Sequence, residues 1–232
     1  MNKIAFRMDD VGASTKQFEV YSKSFIGNFL VLKYFPPFKA WAPYDEISSD
    51  MWEKIIDILT REKIKMTVAV TASWVDAKNN LTPFPEKFPK QAKVIKEALK
   101  GNLIEIANHG LTHCVVGKHL PGLFSSNRKF HREFYEYLPK ELIKNHLDES
   151  QKILEDYFEE KIMTLVPPGN VCSQFTEEYA NKIGLINISA KNDNVFAFHD
   201  REISLYGIPW LVSKINDHKN KGYEIVKVKD LS

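Results

Sequence analysis

Residues 3–10 read KIAFRMDD, a short apolar run that ends in two aspartates just before Val11 and Gly12. Short apolar runs that stop at polar or glycine residues are typical of buried strands. Six more such runs follow along the chain, and segments with helical periodicity lie between most of them. Because strands that alternate with helices form βα units, this pattern favours an α/β fold with a largely parallel sheet.

The predicted elements cover most of the chain. The helix at 49–63 is expected to begin at Ser48 or Ser49, because serine side chains cap helix N-termini. The helix at 177–184 is expected to end at Gly184, because glycine favours the backbone conformation that ends helices. The other helices are predicted near 89–100, 139–159 and 208–222, and the seven strands at 3–10, 65–72, 102–110, 162–170, 185–190, 195–200 and 223–228.

The composition excludes several classes of protein. Lys and Arg total 32 against 30 Asp and Glu, so the chain lacks the excess of positive charge that is typical of nucleic-acid-binding proteins. No apolar run reaches the length of a membrane span, and too few residues precede the first strand for a signal peptide. Cys114 and Cys172 are too few for a disulfide scaffold. We therefore expect a single domain over residues 1–232 that works in the cytoplasm.

Two long segments, 12–47 and 115–138, interrupt the regular alternation. Both follow strands that end in polar residues. Because loops at the carboxyl ends of parallel strands build active sites, we interpret both segments as walls of a substrate cleft. The alternative is that they pack on the outside of the domain or against a partner subunit.

A pair of histidines, His109 and His113, follows the third predicted strand within the sequence NHGLTH. Two neutral imidazoles can converge on one divalent metal if the backbone turns suitably between them. The spacing alone is weak evidence, because such pairs often arise by chance. Their position directly after a strand, where barrel ligands project, makes metal binding the stronger interpretation.

The doublet Asp9–Asp10 ends the first strand in the same way. Adjacent carboxylates are unfavourable unless a cation or a shared proton relieves them. One carboxylate and two imidazoles would give a metal three ligands and leave a position for water, and the second carboxylate could then act as a base. The alternative without a metal is that Asp9 caps the following turn and Asp10 pairs with Arg7.

A third strand end, VFAFHD at 195–200, carries His199 and Asp200. His199 could act as a general acid, and Asp200 could orient it or cap the next segment. Polar residues at three strand ends form one consistent set if those ends meet on the same face of a barrel.

These motifs and their order resemble the polysaccharide deacetylases of the NodB-homology, carbohydrate esterase type. RMDDVG is similar to the first motif of that family and HGLTH to the second, LVPPGN aligns with the third, and FAFHD is similar to the last. The tail from residue 208 follows the closing helix and strand of the family. The resemblance runs nearly end to end, and it implies a distorted (β/α)7 barrel that uses a divalent metal to remove acetyl groups from N-acetylated sugars.

The resemblance also implies a role for each matching residue. Asp9 is the implied base and His199 the implied general acid. Gly169 would bring a backbone N–H close to the oxyanion. The implied metal ligands are Asp10, His109 and His113, and the candidate substrate-binding residues are Trp41, Pro168 and Asn170.

Two departures separate this chain from the usual family pattern. Val166 stands where the family usually has an arginine that orients the base, and no clear fourth motif with Asp-Trp is found. Asp193 could replace part of the fourth motif, and the alternative for it is a role in a turn. The charge network around Asp9 is therefore expected to differ from that of the family.

The sequence thus predicts a metal-dependent hydrolase that acts on the C–N amide bond of an N-acetylated sugar or glycan precursor. Zinc is the expected metal, with cobalt, nickel or manganese as alternatives. A cytoplasmic location favours a nucleotide-linked or lipid-linked sugar, or another precursor of a cell-surface glycan. The rival interpretations are a hydrolase of a non-sugar amide or a glycosidic bond, and a catalytically silent glycan-binding or assembly protein.

Overall fold

The fold is given by a computed structural model that describes residues 2–18, 26–29, 31–32, 35, 37–38, 44–118, 131–190 and 194–231. Its strands and helices, in chain order, are β1 (Asn2–Val11), α1 (Thr15–Phe18), α2 (Ser49–Glu62), β2 (Met66–Val70), β3 (Ser73–Val75), β4 (Leu81–Pro83), α3 (Phe84–Lys87), α4 (Pro89–Lys100), β5 (Ile104–Asn108), α5 (Lys140–Phe158), β6 (Thr164–Leu165), α6 (Gln174–Lys182), β7 (Asn187–Ile188), β8 (Val195–His199), α7 (Asp200–Asn220) and β9 (Tyr223–Val226). Short 3-10 turns include Ile26–Asn28, Pro168–Asn170 and Val228–Asp230.

The main sheet is organised around β1, which pairs with three other strands. β2 lies on one side of β1, and β8 and β9 share the other side: β9 pairs with residues 2–5 and β8 with residues 5–9. The strand order is β7-β6-β5-β2-β1-β8, and every pair in this sheet is parallel. The sheet curls and helices cover it, which confirms the predicted α/β fold of a distorted barrel.

All seven predicted strands are confirmed, and the helices lie close to their predicted positions. The hydroxyl of Ser48 caps α2 by accepting a hydrogen bond from the N–H of Met51 at 3.2 Å. α6 begins earlier than predicted, because Ser173 caps it, and it stops short of Gly184. α7 also begins earlier, but it is broken at Gly207, whose φ of 70° and ψ of −176° are not helical. The antiparallel hairpin of β3 and β4 escaped prediction because each strand has only three residues.

β1 has an apolar outer face and a polar inner face. Phe6 and Met8 are fully buried in the main core that lies under the helices. Because side chains alternate along a strand, Arg7 and Asp9 point to the opposite face, inside the barrel. The carboxyl ends of the strands therefore collect polar side chains at one edge. No helix in the described part of the chain is long and apolar enough to cross a bilayer.

The barrel interior contains a hydrogen-bonded polar layer centred on Glu105, which is 3% exposed. Its carboxylate accepts hydrogen bonds from the hydroxyls of Thr67, at 2.8 Å, and Thr164. It also accepts one from the N–H of Lys229, at 3.2 Å. A second buried group, of small apolar residues, comes next along the same strands toward their carboxyl ends: Ala69, Ala107 and Val166.

Glu105→Ala is expected to lower the free energy of unfolding by about 2–4 kcal/mol, because two buried hydroxyls lose their acceptor and a cavity is left. Urea denaturation measures the change. Glu97→Ala is the matched control, since the Glu97 side chain is 63% exposed and surface substitutions usually change stability by less than about 0.5 kcal/mol. Equal effects of the two substitutions would show that the polar layer does not stabilise the barrel.

Candidate functional site

The two aspartates at the end of β1 face different partners. Asp9 points into the barrel on the same side as Arg7, two residues earlier. Asp10 has a φ of 69°, in the left-handed region, and this turn directs its carboxylate toward the end of β5. Asp9 is 7% exposed and Asp10 is 4% exposed, so each buried carboxylate needs its own cationic or hydrogen-bonding partner.

Asp10 meets His109 and His113 at the carboxyl edge of the sheet. Its Oδ1 atom lies 3.2 Å from Nε2 of His109 and 3.0 Å from Nε2 of His113. All three residues are buried, and one ligand atom from each lies within 4.8 Å of the others. The structure therefore brings together the three residues that the sequence proposes as metal ligands.

The hydrogen bonds of His109 leave a lone pair directed into this cluster. Its Nδ1 lies 2.6 Å from the carbonyl oxygen of Val166, which can only accept, so Nδ1 carries the proton. In the neutral ring, Nε2 is then an acceptor that faces the carboxylate of Asp10. Two buried acceptors in contact are unfavourable, and a cation between them would satisfy both. One carboxylate and two imidazoles suit zinc and related divalent ions, so the residues fit the implied metal.

The electrostatics of the cluster also fit a cation. Burial alone would raise the pKa of Asp10, but the neighbouring imidazoles of His113, His199 and His109 outweigh it and hold that pKa well below its ordinary value. Burial, followed by the nearby charge of Arg132, lowers the pKa of His113 to about 4 against the opposing effect of Asp10. At neutral pH the carboxylate of Asp10 is therefore charged and the ring of His113 is neutral.

Glu133 holds the turn that carries His113. Its carboxylate is completely buried and accepts hydrogen bonds from the backbone N–H groups of Leu111, at 3.0 Å, and His113, at 2.7 Å, and also from that of Thr112. A Cβ atom on Gly110, whose φ is +79°, would lie 2.0 Å from Oε1 of Glu133. Glycine is therefore required within HGLTH so that the turn can wrap around the carboxylate.

Arg7 pairs with Asp9, not with Asp10. Its Nε and Nη2 atoms donate to the two carboxylate oxygens of Asp9, each at 2.8 Å, and Arg7 is only 1% exposed. Its Nη1 donates to the carbonyl oxygens of Ser189, at 2.7 Å, and Ala190, at 3.1 Å. The alternative in which Arg7 pairs with Asp10 is thus wrong, because residues two apart on a strand share a face. A guanidinium does reach the candidate base, but from β1 and not from position 166.

His199 lies beside Asp9, because the two residues are partners in the β1–β8 register. Its side chain is 34% exposed, and Nδ1 lies 3.4 Å from a carboxylate oxygen of Glu202. Burial opposes the charged ring, but the negative charges of Asp10, Glu202 and Asp9 raise the pKa of His199 to about 9. Asp200 faces elsewhere: it forms a buried ion pair with Lys16. His199 is therefore protonated at neutral pH, as a general acid must be.

The remaining candidates lie around the turn after β6. Gly169 is exposed and has a φ of +63°, and a Cβ atom there would lie 2.9 Å from Nε of Arg132. Pro168 is buried and Asn170 is exposed. Trp41 and Asp193 lie outside the described residues. Sequence reasoning missed both Arg132 and Glu133, because they lie in the long segment at 115–138, where no periodicity marks them.

Comparison with known proteins places these features in a family context. The model of the polysaccharide deacetylase family matches residues 35–188 of this chain. No curated protein sequence matches the chain.

Solved structures share the fold at low sequence identity. A mutant of a CE4 family pseudoenzyme, with restored enzymatic activity, is 12% identical with a TM-score of 0.58, and the match covers 99% of this chain and 67% of that one. The wild-type pseudoenzyme comes from Bacillus anthracis, and there this chain spans only 65% of the neighbour. A family 4 carbohydrate esterase from Bacillus anthracis is 17% identical with a TM-score of 0.56, covering 99% of this chain and 80% of that one. A family 4 acetyl xylan esterase from Clostridium thermocellum, in complex with cobalt, is 14% identical with a TM-score of 0.50, covering 81% and 86%.

The buried pair of Glu133 and His146 predicts a pH-dependent stability. Nδ1 of His146 lies 2.5 Å from Oε2 of Glu133. Burial lowers the pKa of His146, but the hydrogen bond and the charge of Glu133 outweigh it and raise that pKa above 6.5. A raised pKa in the folded state contributes stability that is complete below the unfolded pKa and is lost as pH rises through the folded pKa.

His146→Gln is therefore expected to lower the free energy of unfolding by about 1–3 kcal/mol near pH 6. The deficit relative to the wild type should shrink near pH 9. Urea denaturation at both pH values measures it. A deficit that is the same at both values would contradict the ion pair.

Proposed function

Because the chain belongs to the polysaccharide deacetylase family, we propose that it is a metal-dependent hydrolase that removes the acetyl group from an N-acetylated sugar or glycan precursor. One observation carries this proposal: the buried cluster of Asp10, His109 and His113 lies beside an aspartate, Asp9, that Arg7 holds through two hydrogen bonds. This pairing provides both a cation site and an oriented base.

Asp10, His109 and His113 would hold the metal. A divalent cation in this position supplies Lewis acidity, which lowers the pKa of water toward neutrality and polarises the acetyl carbonyl. Val166 contributes through its carbonyl oxygen, which fixes the ring of His109 with Nε2 facing the cluster. We expect zinc, with cobalt, nickel or manganese as alternatives.

Asp9 is the proposed base that accepts a proton from the attacking water. Arg7 binds both of its carboxylate oxygens, so the side chain cannot rotate away from the site. We therefore assign Arg7 a positioning role for Asp9.

His199 is the proposed acid that protonates the departing nitrogen. Its ring stands next to Asp9 across the β1–β8 pair and Nδ1 lies 3.4 Å from a carboxylate oxygen of Glu202, and both carboxylates favour the protonated ring. Gly169 is the proposed oxyanion donor, because its missing side chain lets the backbone N–H approach a substrate. Pro168, Asn170 and Trp41 remain proposed substrate contacts.

A catalytically silent glycan-binding or assembly protein is the second candidate. The likeness to a pseudoenzyme favours it, and so does the valine at position 166. The Arg7–Asp9 pair favours the enzyme, because it supplies the guanidinium that Val166 lacks.

Activity on a non-sugar amide or a glycosidic bond is the third possibility. A screen of N-acetyl sugars against simple amides and glycosides distinguishes it from deacetylation of a sugar. We propose a cytoplasmic precursor, linked to a nucleotide or a lipid, as the substrate.

The division of roles predicts different effects for the two neighbouring aspartates. Asp10→Ala and His113→Ala should weaken Co²⁺ binding by more than about 100-fold, because each removes a ligand. Asp9→Asn should bind Co²⁺ about as well as the wild type but release acetate about 10²–10⁴-fold more slowly. Calorimetry and an acetate assay measure the two quantities. Full activity of Asp9→Asn would show that Asp9 is not the base.

Arg7→Lys keeps the positive charge but loses the two parallel hydrogen bonds. It is expected to lower kcat by about 10–100-fold with little change in KM or in Co²⁺ affinity, because only the orientation of Asp9 is lost. Ser189→Ala is the matched control: it removes one contact of Arg7 and keeps the two carbonyl acceptors. In Arg7→Met, a second substitution of Val166→Arg should restore part of kcat. Wild-type kcat in Arg7→Lys would exclude the positioning role.

A further inference from the structure

Arg132 contacts Nδ1 of the candidate ligand His113, whereas Asp10 lies near Nε2 of the same ring. The Nη1 atom of Arg132 lies 2.7 Å from Nδ1, and the hydroxyl oxygen of Thr15 lies 2.8 Å from the same nitrogen. Arg132 is 5% exposed and Thr15 is 2% exposed. The Nδ1 atom of His113 therefore has two buried hydrogen-bonding neighbours, one of which carries a permanent positive charge.

The contact with Arg132 decides which nitrogen of His113 carries the ring proton. A guanidinium has only donors, so it can approach Nδ1 this closely only if Nδ1 is an acceptor without a proton. The proton is then on Nε2, which lies 3.0 Å from Oδ1 of Asp10 and can donate to it. His109 has the opposite tautomer, because its Nδ1 donates to the carbonyl oxygen of Val166. The two candidate ligand histidines thus differ in the position of their proton.

The tautomer of His113 matters for a metal. A ring that is protonated on Nε2 cannot bind a cation through Nε2, because a ligand needs a lone pair on that atom. The ring can bind only after its proton is on Nδ1, and Arg132 must then leave Nδ1, since two N–H donors cannot share one hydrogen bond. The hydroxyl of Thr15 can accept from Nδ1, as the second partner of a metal-bound histidine commonly does. Arg132 and Thr15 therefore have opposite effects on the same ring.

The charge of Arg132 acts in the same direction as its hydrogen bond. Its Nη1 also lies 3.5 Å from Nε2 of His113, so a positive charge stands beside the atom that would bind the cation. Like charges in a buried site repel each other more strongly than in water. The fold provides the room for this arginine: a Cβ atom on Gly169 would lie 2.9 Å from Nε of Arg132.

We propose that Arg132 opposes metal binding by holding His113 in the tautomer that cannot bind a cation. In the same arrangement, Thr15 supports metal binding by accepting the Nδ1 proton once Arg132 has moved. Both are positioning residues that act through His113. The inference rests on the metal site of the proposed function, but it does not depend on hydrolysis. The site then binds its metal more weakly than the same three ligands would without the arginine.

Calorimetric titration of the full chain with Co²⁺ compares substitutions with opposite expected effects. Arg132→Met keeps a long side chain without a donor or a charge, and it should tighten Co²⁺ binding by about tenfold or more. Thr15→Val loses the acceptor and should weaken binding by about 10–100-fold, and Thr15→Ser, which keeps the hydroxyl, should recover most of that loss. Arg61→Met is the matched control for the loss of one positive charge, since the Arg61 side chain is 64% exposed. It should leave the affinity unchanged.

Nuclear magnetic resonance of the metal-free protein with isotope-labelled histidine reads the tautomer directly from the nitrogen chemical shifts. Comparison with His113→Ala identifies the signals of His113. In the wild type, His113 should carry its proton on Nε2 and His109 on Nδ1. In Arg132→Met, His113 should change to the Nδ1 form, with Thr15 as the acceptor. An arginine that only packs against the ring would leave the tautomer unchanged.

Thermal melting verifies that each variant retains the fold. Equal Co²⁺ affinity of the wild type and Arg132→Met, including no binding by either, overturns the proposal, and so does a proton on Nδ1 of His113 in the wild type. If Arg132→Met unfolds, the wild-type spectrum and the Thr15 variants decide the question. Tighter Co²⁺ binding by Arg132→Met without release of acetate by any variant would support the role of Arg132 and overturn the proposed hydrolase.

Discussion

The site depends on keeping two neighbouring carboxylates apart at the end of one strand. Successive side chains of a strand point to opposite faces, so a regular continuation of β1 would send Asp10 into the apolar layer under the helices. The left-handed φ of 69° at Asp10 prevents this and brings its carboxylate to the barrel mouth, beside His109 and His113. Asp9 is neutralised separately, from within the barrel, by Arg7. Without both features, two buried like charges would be adjacent and one of them would be protonated.

Burial of a guanidinium inside the barrel constrains the residues around it. Arg7 uses its third nitrogen to donate to Ser189 and Ala190, so each of its three nitrogens has an acceptor. The buried inner residues of the neighbouring strands are small or medium in size, namely Ala69, Ala107 and Val166. A second arginine at position 166 would add another charge to the same interior, which burial disfavours. The valine at 166 is therefore compatible with the arginine at 7, which already occupies the interior as the charge partner of Asp9. The departure from the family pattern at 166 does not by itself remove that partner.

The sequence predicted the strands, and the convergence of Asp10, His109 and His113, for the same physical reason. Parallel strands place their carboxyl ends at one edge, so polar residues directly after apolar runs converge even when they are a hundred positions apart, as Asp10 and His109 are. The supporting residues were harder to predict. The pairing of Arg7 with Asp9 could have been predicted from the sequence, because residues two apart on a strand point to the same face. Glu133 offers no such signal, because its partners are backbone N–H groups of a turn that exists only in the folded protein.

In this fold, the residues proposed for the reaction and the surface that would select the substrate belong to different parts of the chain. The residues that we propose take part in the reaction lie at strand ends and are fixed by buried contacts, such as the hydrogen bond from His109 to Val166 and the ion pair of Arg7 with Asp9. Tyr44, near the end of the long stretch that follows β1, is tied to that edge: its N–H donates to the carbonyl oxygen of Lys16 and its hydroxyl donates to Asp200. Family membership therefore bears on the proposed reaction more directly than on the substrate, because the residues proposed to carry it lie at the strand ends. What reaches those strand ends depends on the surface that surrounds them.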